Sequence, residues 1–513
     1  MRRNILLITT DQQRFDSLGV NGGAVARTPV ADGLAERGLN YTRAHCQNTV
    51  CSPARSTILT GQYPRTHGVI QNGIALPPDA PTVAGYLRAR ADYRTALIGK
   101  AHFEPNIDKA LLAPDFDGSY AWPENRMAGE GSTGPYRGFD HFETACHGYW
   151  KGQFHYDHWL DQNHPGASEG FYAFDIDDRN ATFGDTGAPD TRYNPMPVEA
   201  YHTDWVAQRT IDVLQGFAVD DNWFVWMSFP DPHSPWDPPE SAAREIPWQE
   251  LELPVGHPGS IEATEAILAN RPRQWMEAFD AAVGNQFGPP YEPRQLSHDM
   301  VREINALVHA ENELIDRACG RVLDEIDARG WCDRTDVFFT TDHGEMQGDF
   351  GLIFKGPFHV DALMRLPFIW QPAPVAAVTP AEVPEPVGQV DLAPTFCEIA
   401  GLPVPDWMQG NPLPAVPGSS RERVLTEWDW TLPGYDYPMR SIFRDGLLCT
   451  VYEPSEFCDG TEGELYDVSE DPLQRINLWD DPARAALRSD LVADLRDSLV
   501  EPRAEELPVE SIF

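Results

Sequence analysis

The chain has 513 residues, which is enough for a large core and reads as one big domain with a smaller appendage. Its 39 basic and 79 acidic residues leave a net charge of −40, which argues against nucleic acid and anionic membranes as partners. An anionic ligand would need a local cluster of cations acting within roughly 8–10 Å, about one Debye length.

The first residues carry an apolar run too short for a signal peptide, with no small-residue cleavage site after it. No stretch reaches transmembrane length. The eight cysteines are therefore expected as reduced thiols in the cytoplasm.

Asn4 to Thr10 is an apolar run ending abruptly in Asp11-Gln12-Gln13, the pattern of a buried parallel strand. Asp11 then lies at the strand's carboxyl end, where open α/β sheets place ligands, and reads either as a turn aspartate or as a metal ligand. Thr28 to Arg37 reads as a helix with Leu34 inward and Gly38 as its cap. In the run Val50 to Thr57, Ser52 is the expected N-cap, Pro53 the first helical residue and Gly61 the stop. Cys51 would sit at the mouth of that helix, where free N–H groups and the dipole favour an anion, with Arg55 pointing back toward it. A buried structural thiol is the ordinary alternative. A zinc site lacks a C-x-x-C pair, and a thiolate phosphatase would need a longer loop between Cys51 and Arg55.

Asn72 precedes Gly73 and reads as a turn residue. Thr82 to Arg90 is a predicted helix, and Thr95 to Ile98 a strand that discharges into Gly99-Lys100-Ala101-His102. Residues 105–200 are poor in periodicity and rich in Gly, Pro, Asp and aromatics, with His141, His147, His155 and His158 among them. They read as a long ordered insertion walling the substrate pocket, the histidines being scattered loop residues rather than a metal site. His202 to Phe217 is an amphipathic helix, and Trp223 to Phe229 a strand running into a proline-rich loop that carries His233. Asp299 to Arg329 is a long helix ended by Gly330, and Thr335 to Thr341 a strand followed by Asp342-His343-Gly344-Glu345. Lys355 lies shortly after, Arg365 to Trp370 is the next strand, 371–386 a loop, and Val390 to Thr395 opens a helix. From about residue 415 the sequence becomes turn-rich and then strand-like, with a closing helix from Pro482 to Val500.

The run C-x-P-x-R at Cys51–Arg55, followed by Ser-Thr-Ile-Leu-Thr-Gly, resembles the signature of the type I sulfatases of the alkaline phosphatase superfamily. Gly-Lys-x-His at 99–102, Thr-Asp-His-Gly-Glu at 341–345 and Lys355 resemble further motifs of that family. The resemblance implies an α/β sandwich like that of alkaline phosphatase, with a large mostly parallel central sheet flanked by helices. It also implies a small C-terminal subdomain built on an antiparallel sheet. The expected division is a catalytic domain over 1–415, with the 105–200 insertion near the pocket, and a C-terminal subdomain over 416–513.

In that family the cysteine is oxidised to formylglycine, whose hydrated aldehyde supplies the nucleophile and whose second hydroxyl expels the product. The resemblance implies Cys51 as the converted residue and Arg55, Lys100, His102, His233 and Lys355 as its catalytic companions, and Asn72 resembles the substrate-contacting asparagine of the phosphonate monoester hydrolases. It implies one divalent metal on Asp11, Gln12, Cys51, Asp342 and His343. Calcium is usual in sulfatases, and manganese is the alternative because an imidazole donor favours a transition metal. Gln12 and His343 resemble the phosphonate monoester hydrolases, whereas Lys100 and His102 fit the sulfatases.

Lysines at 100 and 355 on one sulfuryl group favour sulfate, so the expected activity is hydrolysis of aryl-type sulfate monoesters. Phosphonate monoester or phosphodiester hydrolysis at the same site is the alternative. A phosphatase or mutase using Ser52, or a non-catalytic binding protein on the same fold, are rival classes. The expected partners are a small sulfate ester and a formylglycine-generating or anaerobic sulfatase-maturating enzyme, with a homo-oligomer left open.

Overall fold

The computed structural model describes residues 2–105, 122–150, 152–171, 184–280, 292–430 and 436–511. In chain order its strands begin with β1 (Asn4–Thr10), β2 (Leu39–Tyr41), β3 (Ala44–His45), β4 (Arg94–Gly99), β5 (His141–Thr144), β6 (Trp223–Ser228) and β7 (Thr335–Thr341). They continue with β8 (Phe368–Gln371), β9 (Ala381–Val383), β10 (Val387–Gly388), β11 (Arg423–Trp428), β12 (Met439–Arg444), β13 (Leu447–Tyr452) and β14 (Gly463–Asp467).

Eight of these form one sheet in the order β5-β4-β6-β1-β7-β8-β2-β9, in which only β8 runs against the rest. β1 is buried along its whole length between β6 and β7, which accounts for its unbroken apolar run. Its side chains alternate between two cores. Ile5 and Leu7 pack with Ile58, Leu87 and Phe396 from the helices Cys51–Thr60, Val83–Ala91 and Leu392–Ile399. Leu6 and Ile8 pack with Leu34, Trp205 and Ile315 from the helices Pro29–Glu36, His202–Gly216 and His298–Ala328. The sheet is thus covered on both faces, and the carboxyl ends of β1, β4, β5, β6 and β7 share one rim.

Strands β11 to β14 form a separate antiparallel meander. The helix Ala485–Ser498 covers one of its faces through Leu491 and Leu495, and Met364 and Leu366 cover the other. Arg271, wholly buried, stacks on Trp275, Phe350 and Tyr466 beside Glu464, and so ties the helix Arg273–Asp280 to this sheet.

The 105–200 stretch is more regular than its composition predicts. It holds the helices Pro123–Glu130 and His155–Asn163, and it contributes β5 to the main sheet. The parts of that insertion at 106–121, 151 and 172–183 lie outside the described residues. The predicted loop 371–386 likewise contains β9, which pairs with β2. None of the eight cysteines is in a disulfide. Among the described residues no helix is long and apolar enough to cross a membrane.

Asp157, buried in the first turn of the helix His155–Asn163, accepts the N–H of Gln153 at 3.0 Å and of Phe154 at 3.3 Å. Burial nonetheless pushes its carboxyl up to about 7. A carboxyl raised on folding contributes stability that is complete below its unfolded value near 4 and is lost as pH rises through 7. The full loss is on the order of 4 kcal/mol. Melting curves of wild type and Asp157→Asn should therefore converge, or cross in the variant's favour, between pH 4.5 and 8. A gap independent of pH would refute the assignment.

Candidate active site

Asp11, Lys100 and Asp342 leave the sheet where an apolar strand stops, and Cys51 and Arg55 come from a helix. Beyond β1, Asp11 donates its backbone N–H to the carbonyl of Asp231, just past β6, at 3.0 Å. Gln12 takes a left-handed turn, φ +64°, and gives its N–H to Asp342 Oδ1 at 3.0 Å. Beyond β7, Asp342 Oδ1 also accepts the N–H of His343 at 2.9 Å. The loops after β1 and β7 therefore hold each other.

The helix that carries Cys51 starts earlier than expected. It runs from Cys51 to Thr60, with Val50 rather than Ser52 at the N-cap position, and ends at Gly61 in a left-handed turn, φ +69°. Partners remote from the motif replace the local cap: Asn48 Oδ1 accepts the N–H of Val50 and Asn72 Oδ1 that of Ser52, each at 3.0 Å. Asn72 thus holds the first turn of the helix that carries Cys51.

Ligand atoms of Asp11, Cys51, Asp342 and His343, all buried, lie within 4.8 Å of one another. Cys51 Sγ is 3.2 Å from His343 Nε2 and 3.7 Å from Asp11 Oδ1. His343 Nδ1 donates to the carbonyl of Gly344 at 2.9 Å, so Nε2 faces the cluster as a lone pair. Burial keeps that imidazole below its ordinary value, and hence neutral. Carboxylates, an unprotonated imidazole and the residue-51 side chain form a donor set that fits one divalent cation. Gln12 lies at the edge of the cluster. Its Oε1 accepts from Lys355 Nζ at 2.6 Å and its amide N–H donates to Glu345.

Cations surround the cluster. Arg55, fully buried, donates Nε to Asp342 Oδ2 and Nη2 to Asp11 Oδ2, both at 2.9 Å. Its Nη1 donates at 2.8 Å to the Lys100 carbonyl and to Ser228 Oγ. Lys100 Nζ is 2.6 Å from Asp11 Oδ2 and 3.8 Å from Cys51 Sγ. Lys355 Nζ is 3.3 Å from Cys51 Sγ and 2.6 Å from His233 Nε2. Burial opposes ionisation of Asp11, but Lys100, His233, Arg55 and Lys355 together hold its carboxyl well below the usual carboxylate range. Burial, then the nearby Asp11, pushes the Cys51 thiol up to about 11.

His233 donates Nδ1–H to the carbonyl of Ser234, leaving Nε2 toward Lys355 and, at 3.9 Å, Asp11 Oδ1. Burial, with Lys355 and His147 adding to it, keeps His233 well below the ordinary histidine value. His102 is buried with neither ring nitrogen hydrogen-bonded, and burial followed by Lys100 and Arg55 depresses it strongly.

The predicted residues 11, 12, 51, 55, 100, 233, 342, 343 and 355 thus meet around one point, with Asn72 behind the helix Cys51–Thr60. Sequence reasoning missed Ser228, which joins Arg55 to the Lys100 carbonyl, and Gln389, whose amide donates at 2.7 Å to the carbonyls of Thr341 and Asp342. It also missed Glu345, which accepts from Gln12, from the N–H of Gln347 at 3.1 Å and from the N–H of Phe354.

The sulfatase family profile matches residues 3–402, and a profile for the C-terminal region of N-sulphoglucosamine sulphohydrolase matches 348–501. An uncharacterized sulfatase of Escherichia coli, YidJ, is 26% identical over 523 residues, covering 98% of this chain and 88% of the relative. An arylsulfatase of Clostridium perfringens is 25% identical, covering 93% and 90%. The crystal structure of the phosphonate monoester hydrolase of Agrobacterium radiobacter superposes with a TM-score of 0.77 at 24% identity, covering 97% of this chain and 96% of that one.

Proposed function

The chain belongs to the sulfatase family and is a sulfuric ester hydrolase, and from that premise we propose that it cleaves aryl-type sulfate monoesters at Cys51 after conversion of that residue to formylglycine. One observation carries the reading. Ligand atoms from three regions of the chain, Asp11, Cys51 and the Asp342–His343 pair, lie within 4.8 Å of one another, with Lys100 and Lys355 at 3.8 and 3.3 Å from the Cys51 sulfur.

Asp11, Asp342, His343 and the residue-51 side chain would hold one divalent cation, with Gln12 beside them. Bound there, it would supply Lewis-acid activation. Calcium is the proposed ion and manganese the alternative that the imidazole favours. Arg55 fixes the orientation of both carboxylates. Lys100 and Lys355 flank the nucleophile and would hold the sulfuryl oxygens, and His102 would support the converted side chain. Asn72, which holds the first turn of the nucleophile helix, would also meet the substrate. His233, its Nδ1–H committed to Ser234, would take a proton at Nε2 from Lys355 Nζ, 2.6 Å away, and pass it to the leaving oxygen.

The Cys51 thiol, pushed up to about 11, is a poor nucleophile at neutral pH as the chain alone sets it, which supports conversion by a maturating enzyme. Cysteines that form no disulfide support a reducing compartment, the cytoplasm. The proposed division is a catalytic domain over 1–415 and a C-terminal subdomain over 416–513. Phosphonate monoester or phosphodiester hydrolysis is the second reading. The Gln12 and His343 pairing favours it, and those substrates carry the same single negative charge.

Rates on aryl sulfate, phosphonate monoester and phosphodiester, with metal analysis of the same sample, test the substrate assignment. Sulfate should be fastest, and a phosphorus ester with the higher kcat/KM would reverse the order. His233→Ala should lose about 100-fold or more with poor leaving groups and little with nitrophenolates. Equal losses across the series would remove His233 from proton transfer.

A further inference from the structure

The carboxyl ends of β1, β4, β6 and β7 each deliver a side chain to the site, and β5 belongs to the same rim. Beyond β5 the chain runs Ala145-Cys146-His147 and turns at Gly148, φ +73°. Of the four histidines between 141 and 158, His141 pairs with Glu143 at 2.7 Å, and His155 accepts the N–H of Thr144 at 3.0 Å. His158 lies against Gly152. His147 goes elsewhere. Its ring stacks on that of His233, with centroids 4.2 Å apart and planes 13° from parallel.

The stack is itself held. His147 is 5% exposed, its Nδ1 lies 3.4 Å from Cys146 Sγ, and its carbonyl accepts Trp150 Nε1–H at 2.8 Å. The contacts of His233 Nδ1 with Ser234 and of Nε2 with Lys355 fix two points of the imidazole and leave its plane free to tilt about the line between them. A flat ring against its face removes the tilt and excludes water from that side. A general acid gains most from such restraint when the leaving oxygen must receive a nearly complete proton, because transfer then depends on the line from Nε2 to that oxygen.

We propose that His147 is a positioning residue for His233, its stacked ring setting the plane in which His233 delivers a proton to the leaving group. The inference rests on the reading of His233 given above and assigns His147 no contact with the substrate. It predicts that the requirement is for a flat ring, not for a titratable one.

The test uses the matured, metal-loaded enzyme and a series of aryl sulfates with leaving phenols of increasing pKa. His147→Ala should lower kcat/KM by about tenfold or more for the poorest leaving group and by less than about threefold for nitrophenol. His147→Phe, which restores a flat face, should stay within about threefold of wild type throughout. His147→Leu fills the space without a ring and should behave like alanine, which keeps the test readable if alanine impairs folding. A uniform loss across the series would overturn the proposal, and so would a phenylalanine variant as impaired as the alanine and leucine ones. His233→Ala is run beside them. If its losses are flat, the reading of His233 fails; if they steepen while those of His147→Ala and His147→Leu do not, only the positioning role fails.

Discussion

Replacing Cys51 with alanine should lower kcat/KM for a nitrophenyl sulfate by about 1,000-fold or more, because no neighbouring group can take over as nucleophile. Ser52 is the nearest hydroxyl in sequence, but its Oγ is buried with no hydrogen-bond partner among the described residues to activate it. The fold should survive. The substitution deletes one sulfur at the first position of the helix, while the remote caps on Val50 and Ser52 are backbone contacts that alanine preserves. Far-UV and near-UV circular dichroism should match wild type. A loss below about tenfold, or 1.4 kcal/mol of barrier, would mean that the nucleophile is another residue. Peptide mass spectra of active enzyme give an independent check, since an untouched Cys51 thiol in fully active protein excludes conversion.

Arg55→Met should be nearly as damaging for a different reason. Arg55 contributes four hydrogen bonds to the site, two of them to buried carboxylates. Taking it away leaves Asp11 and Asp342 facing one another with less compensating charge, a change that costs roughly 3–5 kcal/mol in comparable buried pairs. Melting of the variant in chelator should fall well below wild type. A divalent cation replaces part of the missing charge, so calcium or manganese should raise the variant's melting temperature more than that of wild type. Activity should drop by about 100-fold or more even with metal restored, because both carboxylates lose their orientation. An unchanged melting temperature in chelator, or the same metal-induced rise in both proteins, would show that the guanidinium does not hold the carboxylates together.

Most of the site was legible because the chain changes character abruptly where a buried strand ends. Thr10 gives way to Asp11, Gly99 to Lys100 and Thr341 to Asp342, and a strand covered on both faces leaves no ambiguity about where it stops. β5 lacks that contrast. It is a four-residue edge strand, His-Phe-Glu-Thr, whose polar members face Arg209 and the rim, so its alternation is too short to register, and His147 was hidden with it. Ser52 misled for a related reason. A serine before a proline is a good local cap, but Asn48 and Asn72 supply the acceptors through tertiary contacts, and the helix gains two residues, Cys51 and Ser52. Ser228 and Glu345 act by joining segments hundreds of residues apart, such as Arg55 to β6 and Gln12 to the loop after β7. No local pattern encodes such links.

The way the sheet is wound has a consequence for recombining this gene with its relatives. Neighbouring strands of the rim come from distant stretches of the chain, β6 beside β1 and β1 beside β7, so a crossover almost anywhere divides the cluster between two parents. Chimeras should tolerate this wherever both parents present the same side chain at the same strand end. The junctions to avoid are those that separate Arg55 from Asp342 or Gln12 from Glu345, where each parent has shaped one half of a bond to fit its own other half.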